Sequence, residues 1–239
     1  MKRAVFALWV FAFGLFFNIS SVNAEFLPQD SSEQDKTVIG YASSDEVSLK
    51  NLERGEWKGV SPELLCVLKK ADSLARRRVG YRFDSSSRPL TREDLKARPT
   101  ELSCSELVWY VFSVCGIDLG DGPIETKEMA YNKDVYAPFL KKVRHTRIRP
   151  GDILVYDYPL KTLQREKALT GKYRSGHAVI VVSRKGRVVI GSHYYGSSPG
   201  DVMPGVGYRK LLKGWGSWTA GRKLRAVYRL DLSSTLKSS

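Results

Sequence analysis

Apolar side chains in residues 103–116 recur at the spacing of one helical face, at Leu107, Val108, Val111, Phe112 and Cys115. Ser103 is a favourable N-cap residue, and Gly116 is a favourable residue at a helix end. The pattern therefore predicts one buried helix that carries Cys104 in its first turn.

A second helix is predicted to begin at Ser61-Pro62-Glu63, a cap followed by proline and an acid. Its apolar face comprises Leu64, Leu65, Leu68 and Leu74, with Val67 on the flank. Residues 84–100 indicate a surface loop, and residues 124–131 a further short helix. Residues 25–60 are polar and indicate a loosely packed N-terminal arm.

Strand patterns dominate the second half of the chain, at residues 153–156, 177–183, 187–192 and 224–230. The tight turn at residues 184–186 predicts a hairpin between the middle two strands. Residues 160–175 form a basic, polar insertion before that hairpin. Helices followed by strands predict an α+β domain, with N-terminal helices packed on an antiparallel sheet.

The first two dozen residues have the pattern of a signal peptide: Lys2 and Arg3, an apolar run over 4–17, and Val22-Asn23-Ala24. The run is shorter than the ~20 residues that span a bilayer. We therefore expect cleavage after Ala24 and export of the protein to the periplasm or out of the cell, with no stable membrane anchor. The alternative is that the segment stays uncleaved and anchors the protein in the membrane. Residues 25–60 would form the arm, 61–232 one domain, and 233–239 a flexible tail.

The chain has a formal charge of +14, which becomes +12 once the signal is removed. Such a charge attracts polyanions, including nucleic acid, anionic lipids and acidic envelope polymers. No nucleic-acid-binding motif organises the cationic residues, so no nucleic-acid partner is expected. We expect a monomer.

Three cysteines leave at least one thiol unpaired within a single chain. Helix N–H groups and the helix dipole would lower the pKa of Cys104, although a small apolar residue beginning a helix is the simpler explanation. Cys66 and Cys115 allow a disulfide, but both fit apolar helical faces, which favours two buried thiols.

Two of the three histidines, His177 and His193, begin and end the strands of the predicted hairpin. Antiparallel pairing would make them neighbours, as a base and the group that orients it. Ordinary polar residues at strand ends are the alternative. His145 lies in a basic loop and should be solvated. Zinc-site spacings do not occur, so no metal or cofactor is expected.

Ser103-Cys104-Ser105-Glu106-Leu107-Val108 resembles the Asp-Cys-Ser-Gly-Leu-Val motif of the NlpC-type cell-wall cysteine peptidases. Further similar motifs follow in the family's order, at Gly80-Tyr81, residues 149–156, 176–181 and 191–193. Ser103 replaces the family's Asp, Glu106 replaces its Gly, and Phe83-Asp84 stands where relatives have Trp-Gly-Gly.

The resemblance implies a papain-like NlpC-type fold and an exported cysteine hydrolase of amide bonds in peptidoglycan peptides. It implies Cys104 as nucleophile, His177 as base and His193 as its orienting group, with Tyr81, Ser103 and Ser105 at the substrate. Two alternatives remain: an inactive cell-wall-binding module of the same fold, and a thiol acyltransferase.

Overall fold

The structure is a computed structural model that describes residues 39–41, 47–82, 88, 90–132, 139–171, 176–193, 204–216 and 221–231. The predicted signal peptide and the predicted tail at 233–239 lie outside these residues. Within the described ranges, no helix is long and apolar enough to cross a membrane.

Five α-helices and nine strands make up the described chain. The helices are α1 (Leu49–Arg54), α2 (Pro62–Arg76), α3 (Cys104–Val114), α4 (Thr126–Tyr131) and α5 (Leu160–Thr170). The strands are β1 (Ile39–Tyr41), β2 (Gly80–Tyr81), β3 (Glu101–Leu102), β4 (Leu140–Lys142), β5 (Ile153–Asp157), β6 (His177–Ser183), β7 (Val188–His193), β8 (Gly205–Leu211) and β9 (Lys223–Leu230). Two 3₁₀ turns lie at Arg92–Lys96 and His145–Arg147.

The strands form one sheet in the order β3-β2-β8-β7-β6-β5-β9-β4, and β1 also pairs with β8. All pairings are antiparallel except that between β2 and β3. The chain is therefore mixed α+β with a mainly antiparallel sheet, which confirms the predicted class. The strict order of helices before strands is wrong, because four short strands precede β5.

Alternate residues of the central strands divide between the two faces of the sheet. Ala178, Ile180 and Val182 of β6 join the core that includes the buried faces of α2 and α3. Val179 and Val181 belong to a smaller cluster on the other side. All seven residues of β6 are buried, so this strand lies at the centre of the molecule.

The predicted apolar face of α2 needs one correction. Val67 and Leu68 are fully buried, whereas Leu64 and Leu65 are only partly so. Val67 is thus central to the helix–sheet contact rather than on its flank.

The described end of the predicted loose arm is packed, which corrects that expectation. Val47 and Trp57 are buried, and Trp57 Nε1 donates a hydrogen bond to the carbonyl of Val182 at 2.8 Å. The expected insertion at 160–175 contains helix α5, with Leu163 as its buried anchor.

Cys66 and Cys115 form a disulfide with a Cα–Cα distance of 5.8 Å, so the expectation of two buried thiols is wrong. Cys66 is exposed on α2, and Cys115 is half-buried just after α3. Both cysteines lie at the edges of their helical faces, where the two helices meet at the surface.

Candidate active site

Helix α3 begins at Cys104 because Ser103 before it and Glu106 after it form a helix cap. The Ser103 hydroxyl accepts a hydrogen bond from the Glu106 N–H at 3.4 Å, and the Glu106 carboxylate accepts one from the Ser103 N–H at 2.8 Å. This Ser-x-x-Glu capping box satisfies two N–H groups that a helix start leaves unpaired. The sequence therefore fixes where the cysteine lies in its helix.

Two further contacts hold the start of α3 against the sheet. Glu106, which is 1% exposed, pairs with Arg82 Nη1 at 3.0 Å, and Arg82 directly follows β2. The hydroxyl of Ser192, the residue before His193, donates to the carbonyl of Leu102. These contacts bring the end of β7 next to the first turn of α3.

The thiol of Cys104 lies beside β6, where the backbone N–H of Ala178 interacts with it. Burial nevertheless raises the pKa of Cys104 above its ordinary value, because removal from water penalises the thiolate. The N–H groups of Ala178 and Ser105 and the charge of Arg222 act in the opposite direction without prevailing. The expected lowering of this pKa is therefore wrong, and the resting group is a thiol.

His177 and His193 are neighbours across the β6–β7 hairpin, as the sequence predicted. Nε2 of His177 lies 3.0 Å from Nδ1 of His193, and Nε2 of His193 lies 3.3 Å from the carbonyl oxygen of Gly207. A carbonyl oxygen only accepts, so Nε2 of His193 carries the hydrogen and its Nδ1 accepts. His177 consequently donates from Nε2, which makes its Nδ1 the basic nitrogen.

Both imidazoles are held in the neutral form. Burial lowers the pKa of His177 well below its usual range, and the nearby charges of Arg222 and Arg209 lower it further. Burial and the charge of Arg209 act in the same way on the pKa of His193. The resting site thus combines a neutral thiol with two neutral imidazoles.

Gly191 provides the space that the His193 ring occupies. A Cβ at residue 191 would lie 2.9 Å from Cε1 of His193 and 2.6 Å from Cγ1 of Val179. Any side chain here would force the His193 ring or Val179 to shift.

The other predicted substrate residues lie around the same helix start. Ser103 is buried and its hydroxyl serves the helix cap, Ser105 is half-buried in the first turn, and Tyr81 is half-buried on β2. That these three residues contact the substrate remains a prediction. His145 is exposed, as expected.

Three groups at the site were not found from the sequence: the Gly207 carbonyl and the guanidinium groups of Arg209 and Arg222. Gly207 and Arg209 belong to β8. The alternating apolar residues Val206 and Tyr208 are the only strand pattern in β8, and the glycines beside them make that pattern hard to recognise. In the described part of the chain, no group of three or more His, Cys, Asp or Glu side chains is placed to hold a metal.

The comparisons with known proteins find similarity among solved structures. No family model matches the chain, and no curated protein matches it. Among solved structures it is similar to the peptidoglycan hydrolase RipB from Mycobacterium tuberculosis, with 16% identity and a TM-score of 0.40. The similarity covers 80% of this chain and 73% of that one. A likeness of this size carries no conclusion about fold or activity.

Proposed function

We propose that the protein is an exported cysteine hydrolase with a papain-like NlpC-type fold, cleaving amide bonds in peptidoglycan peptides. The observation that carries the proposal is the hydrogen-bonded pair His177–His193, together with the buried thiol of Cys104, which interacts with the N–H of Ala178, the residue after His177. A cysteine nucleophile requires a base within reach and a third group that orients the base. The sequence motifs that resemble the NlpC-type peptidases supply the substrate class.

In the proposed reaction, His177 Nδ1 takes the thiol proton as the Cys104 sulfur attacks the amide carbonyl carbon. The carbon–nitrogen bond then breaks, and the proton passes from His177 to the leaving amine. Water hydrolyses the thioester, with His177 again acting as base, and regenerates the thiol. His193 keeps the hydrogen on Nε2 of His177 throughout, so that Nδ1 is available for each transfer.

The start of α3 supplies stabilisation for charge that develops in this reaction. Backbone N–H groups of Cys104 and Ser105 already act on the sulfur. The Cys104 N–H is our candidate donor to the oxyanion, with Tyr81 lining the same pocket. Loss of one oxyanion donor costs on the order of a hundredfold in rate in well-studied enzymes.

The Cys66–Cys115 disulfide supports the proposed export. Disulfides persist in the periplasm and outside cells and are rare in the cytosol. The net charge of the chain suits the anionic polymers found there.

The test is incubation of the native protein and of Cys104→Ala with purified peptidoglycan, followed by mass analysis of released fragments. We expect new peptide fragments from the native protein alone, with His177→Ala inactive like Cys104→Ala. Equal wall binding by all three proteins with no fragments would favour the binding module instead. Fragments joined to an added amine, without hydrolysis, would identify an acyltransferase.

A further inference from the structure

A cleft of about 640 Å³ lies at the opposite end of β6 from His177. It is formed where four segments meet: the loop into α2, the turn before β5, the β6–β7 turn and the end of β9. Its lining residues are Glu56, Lys58, Gly59, Val60, Ser61, Leu64, Arg149, Pro150, Asp152, Arg184, Lys185, Arg229 and Leu230. Strand β6 spans roughly 20 Å at ~3.4 Å per residue, so the cleft is remote from the candidate active site.

Both acidic side chains of the cleft are engaged within the protein. Glu56 accepts hydrogen bonds from the Ser183 hydroxyl at 2.6 Å and from the backbone N–H groups of Arg184 and Lys185. Asp152, which is 1% exposed, accepts two bonds from Arg229, at 2.7 and 2.8 Å. These carboxylates fix the walls of the cleft, and Arg229 balances the charge of Asp152, which leaves one uncompensated carboxylate, that of Glu56.

Four cationic side chains remain around the cleft, those of Lys58, Arg149, Arg184 and Lys185. All four are exposed. Lys58, Arg184 and Lys185 form no ion pair with any residue that the structure describes. The rim therefore presents a concentrated positive charge to solvent, in a protein whose net charge is already positive.

The shape and chemistry of the cleft restrict its ligand. The lining includes the apolar residues Val60, Leu64 and Leu230. Helix α2 begins beside the cleft, so the positive end of its dipole adds to the cationic charge. A concave site suits an inserted chain better than a flat lipid surface. The lining includes no aromatic side chain on which nucleic-acid bases would stack.

We propose that this cleft binds a linear non-nucleic-acid polymer that carries phosphate groups along its backbone. Guanidinium groups match phosphate oxygens in two-point contacts, and lysines add point charges. The cleft would hold such a polymer about 20 Å from His177, at the far end of β6. Its binding is independent of whether Cys104 catalyses a reaction.

The experiment measures binding of fluorescent linear polyphosphate to the full chain and to Arg184→Gln/Lys185→Gln. The double variant leaves intact the backbone N–H groups that hold Glu56. We expect its affinity to fall about tenfold, and the native affinity to fall steeply as salt rises. The control is Lys96→Gln/Arg98→Gln, which removes the same two charges from exposed positions elsewhere and should change affinity less than about twofold.

Three results would overturn the proposal. One is an equal loss of affinity in the cleft variant and the control, which would indicate only a diffuse effect of net charge. Another is tighter binding of polyglutamate or of oligothymidylate of matched charge, which would assign the cleft to carboxylates or nucleic acid. The last is binding to vesicles containing phosphatidylglycerol without binding to polyphosphate. Circular dichroism of both variants checks that they fold.

Discussion

Nε2 of His177 lies 3.0 Å from Nδ1 of His193, and the direction of the hydrogen bond between them is set by a backbone carbonyl. Gly207 fixes the hydrogen on His193, and His193 then fixes the hydrogen on His177. Because both imidazoles are uncharged, orientation comes from neutral hydrogen bonds rather than from a carboxylate. A base held in this way gains less electrostatic support when it takes a proton.

Two substitutions of His193 should distinguish its predicted role as a hydrogen-bond acceptor for His177 from the mere filling of space by its ring. We expect His193→Ala to lower kcat/KM about a hundredfold, because the His177 ring would lose the acceptor that keeps its Nδ1 unprotonated. His193→Asn should retain activity within about tenfold of the native chain, since the amide oxygen can accept from His177 Nε2. Peptide release from peptidoglycan provides the measurement.

Equal losses in His193→Ala and His193→Asn would contradict this role and indicate a merely structural ring. His145→Ala is the control, because this exposed histidine should leave kcat/KM unchanged.

The sequence predicted the positions of the candidate site residues better than their electrostatics. Hairpin pairing placed His177 and His193 together, and the capping signal placed Cys104 at a helix start. The pKa of Cys104 was predicted with the wrong sign because the helix effect was visible in the sequence, whereas the burial of the thiol depends on distant segments. The cations Arg209 and Arg222 are likewise contributed by strands and turns far along the chain.

The lowered pKa values of His177 and His193 make the free energy of unfolding depend on pH. The unfolded histidines protonate near their ordinary pKa of 6.5, while the folded ones resist protonation. As pH falls below about 6.5 the unfolded state binds more protons, so stability is lost at up to about 1.4 kcal/mol per pH unit for each group. Stability should not change through these groups between pH 7 and 8.

Urea unfolding at pH 5, 6, 7 and 8 tests this dependence. The difference in unfolding free energy between the native chain and His177→Gln/His193→Gln isolates the contribution of these two histidines from that of other titratable groups. We expect the native chain to lose more stability than the variant between pH 7 and 5, by up to about 4 kcal/mol for the two histidines together. A native slope equal to that of the double variant would refute the prediction.

Glu106 should be a major contributor to stability, because it is buried with two partners. Glu106→Ala would leave Arg82 without its carboxylate and the Ser103 N–H without an acceptor, at an expected cost of about 3–5 kcal/mol. Glu106→Gln keeps an acceptor for Ser103 and should cost about half as much. The free energy of unfolding in urea measures both.

Glu63→Ala is the matched control, since Glu63 is an exposed acid in the first turn of α2. Its loss should cost less than about 1 kcal/mol. A similar small cost for Glu106→Ala would show that the buried pair contributes little.

Four of the five longer strands could be predicted from the sequence, whereas β8 could not, because its glycines interrupt the apolar alternation. Strands β5, β6, β7 and β9 are apolar enough to be recognised, because they are largely buried in the sheet. Strands β1 to β4 have two or three residues each, too few to show alternation. The packing of Trp57 also escaped prediction, because its bond to Val182 joins residues 125 positions apart.

The Cys66–Cys115 disulfide should stabilise the chain without taking part in its chemistry. It joins residues 49 positions apart, and the chain-entropy treatment of such a loop gives about 4 kcal/mol. We expect Cys66→Ser/Cys115→Ser to lose about 2–4 kcal/mol of unfolding free energy but to keep peptide release at low temperature, because Cys104 lies at the other end of α3.

Cys104→Ser is the control and should unfold at the same urea concentration as the native chain within experimental error. Thiol titration in denaturant should count one thiol in the native chain and none in Cys104→Ser. Three thiols in protein prepared under oxidising conditions would show that the bridge does not form, and the stability loss of the double variant would then require another cause. Loss of peptide release at a temperature where the double variant is fully folded would show instead that the bridge positions the helix carrying Cys104.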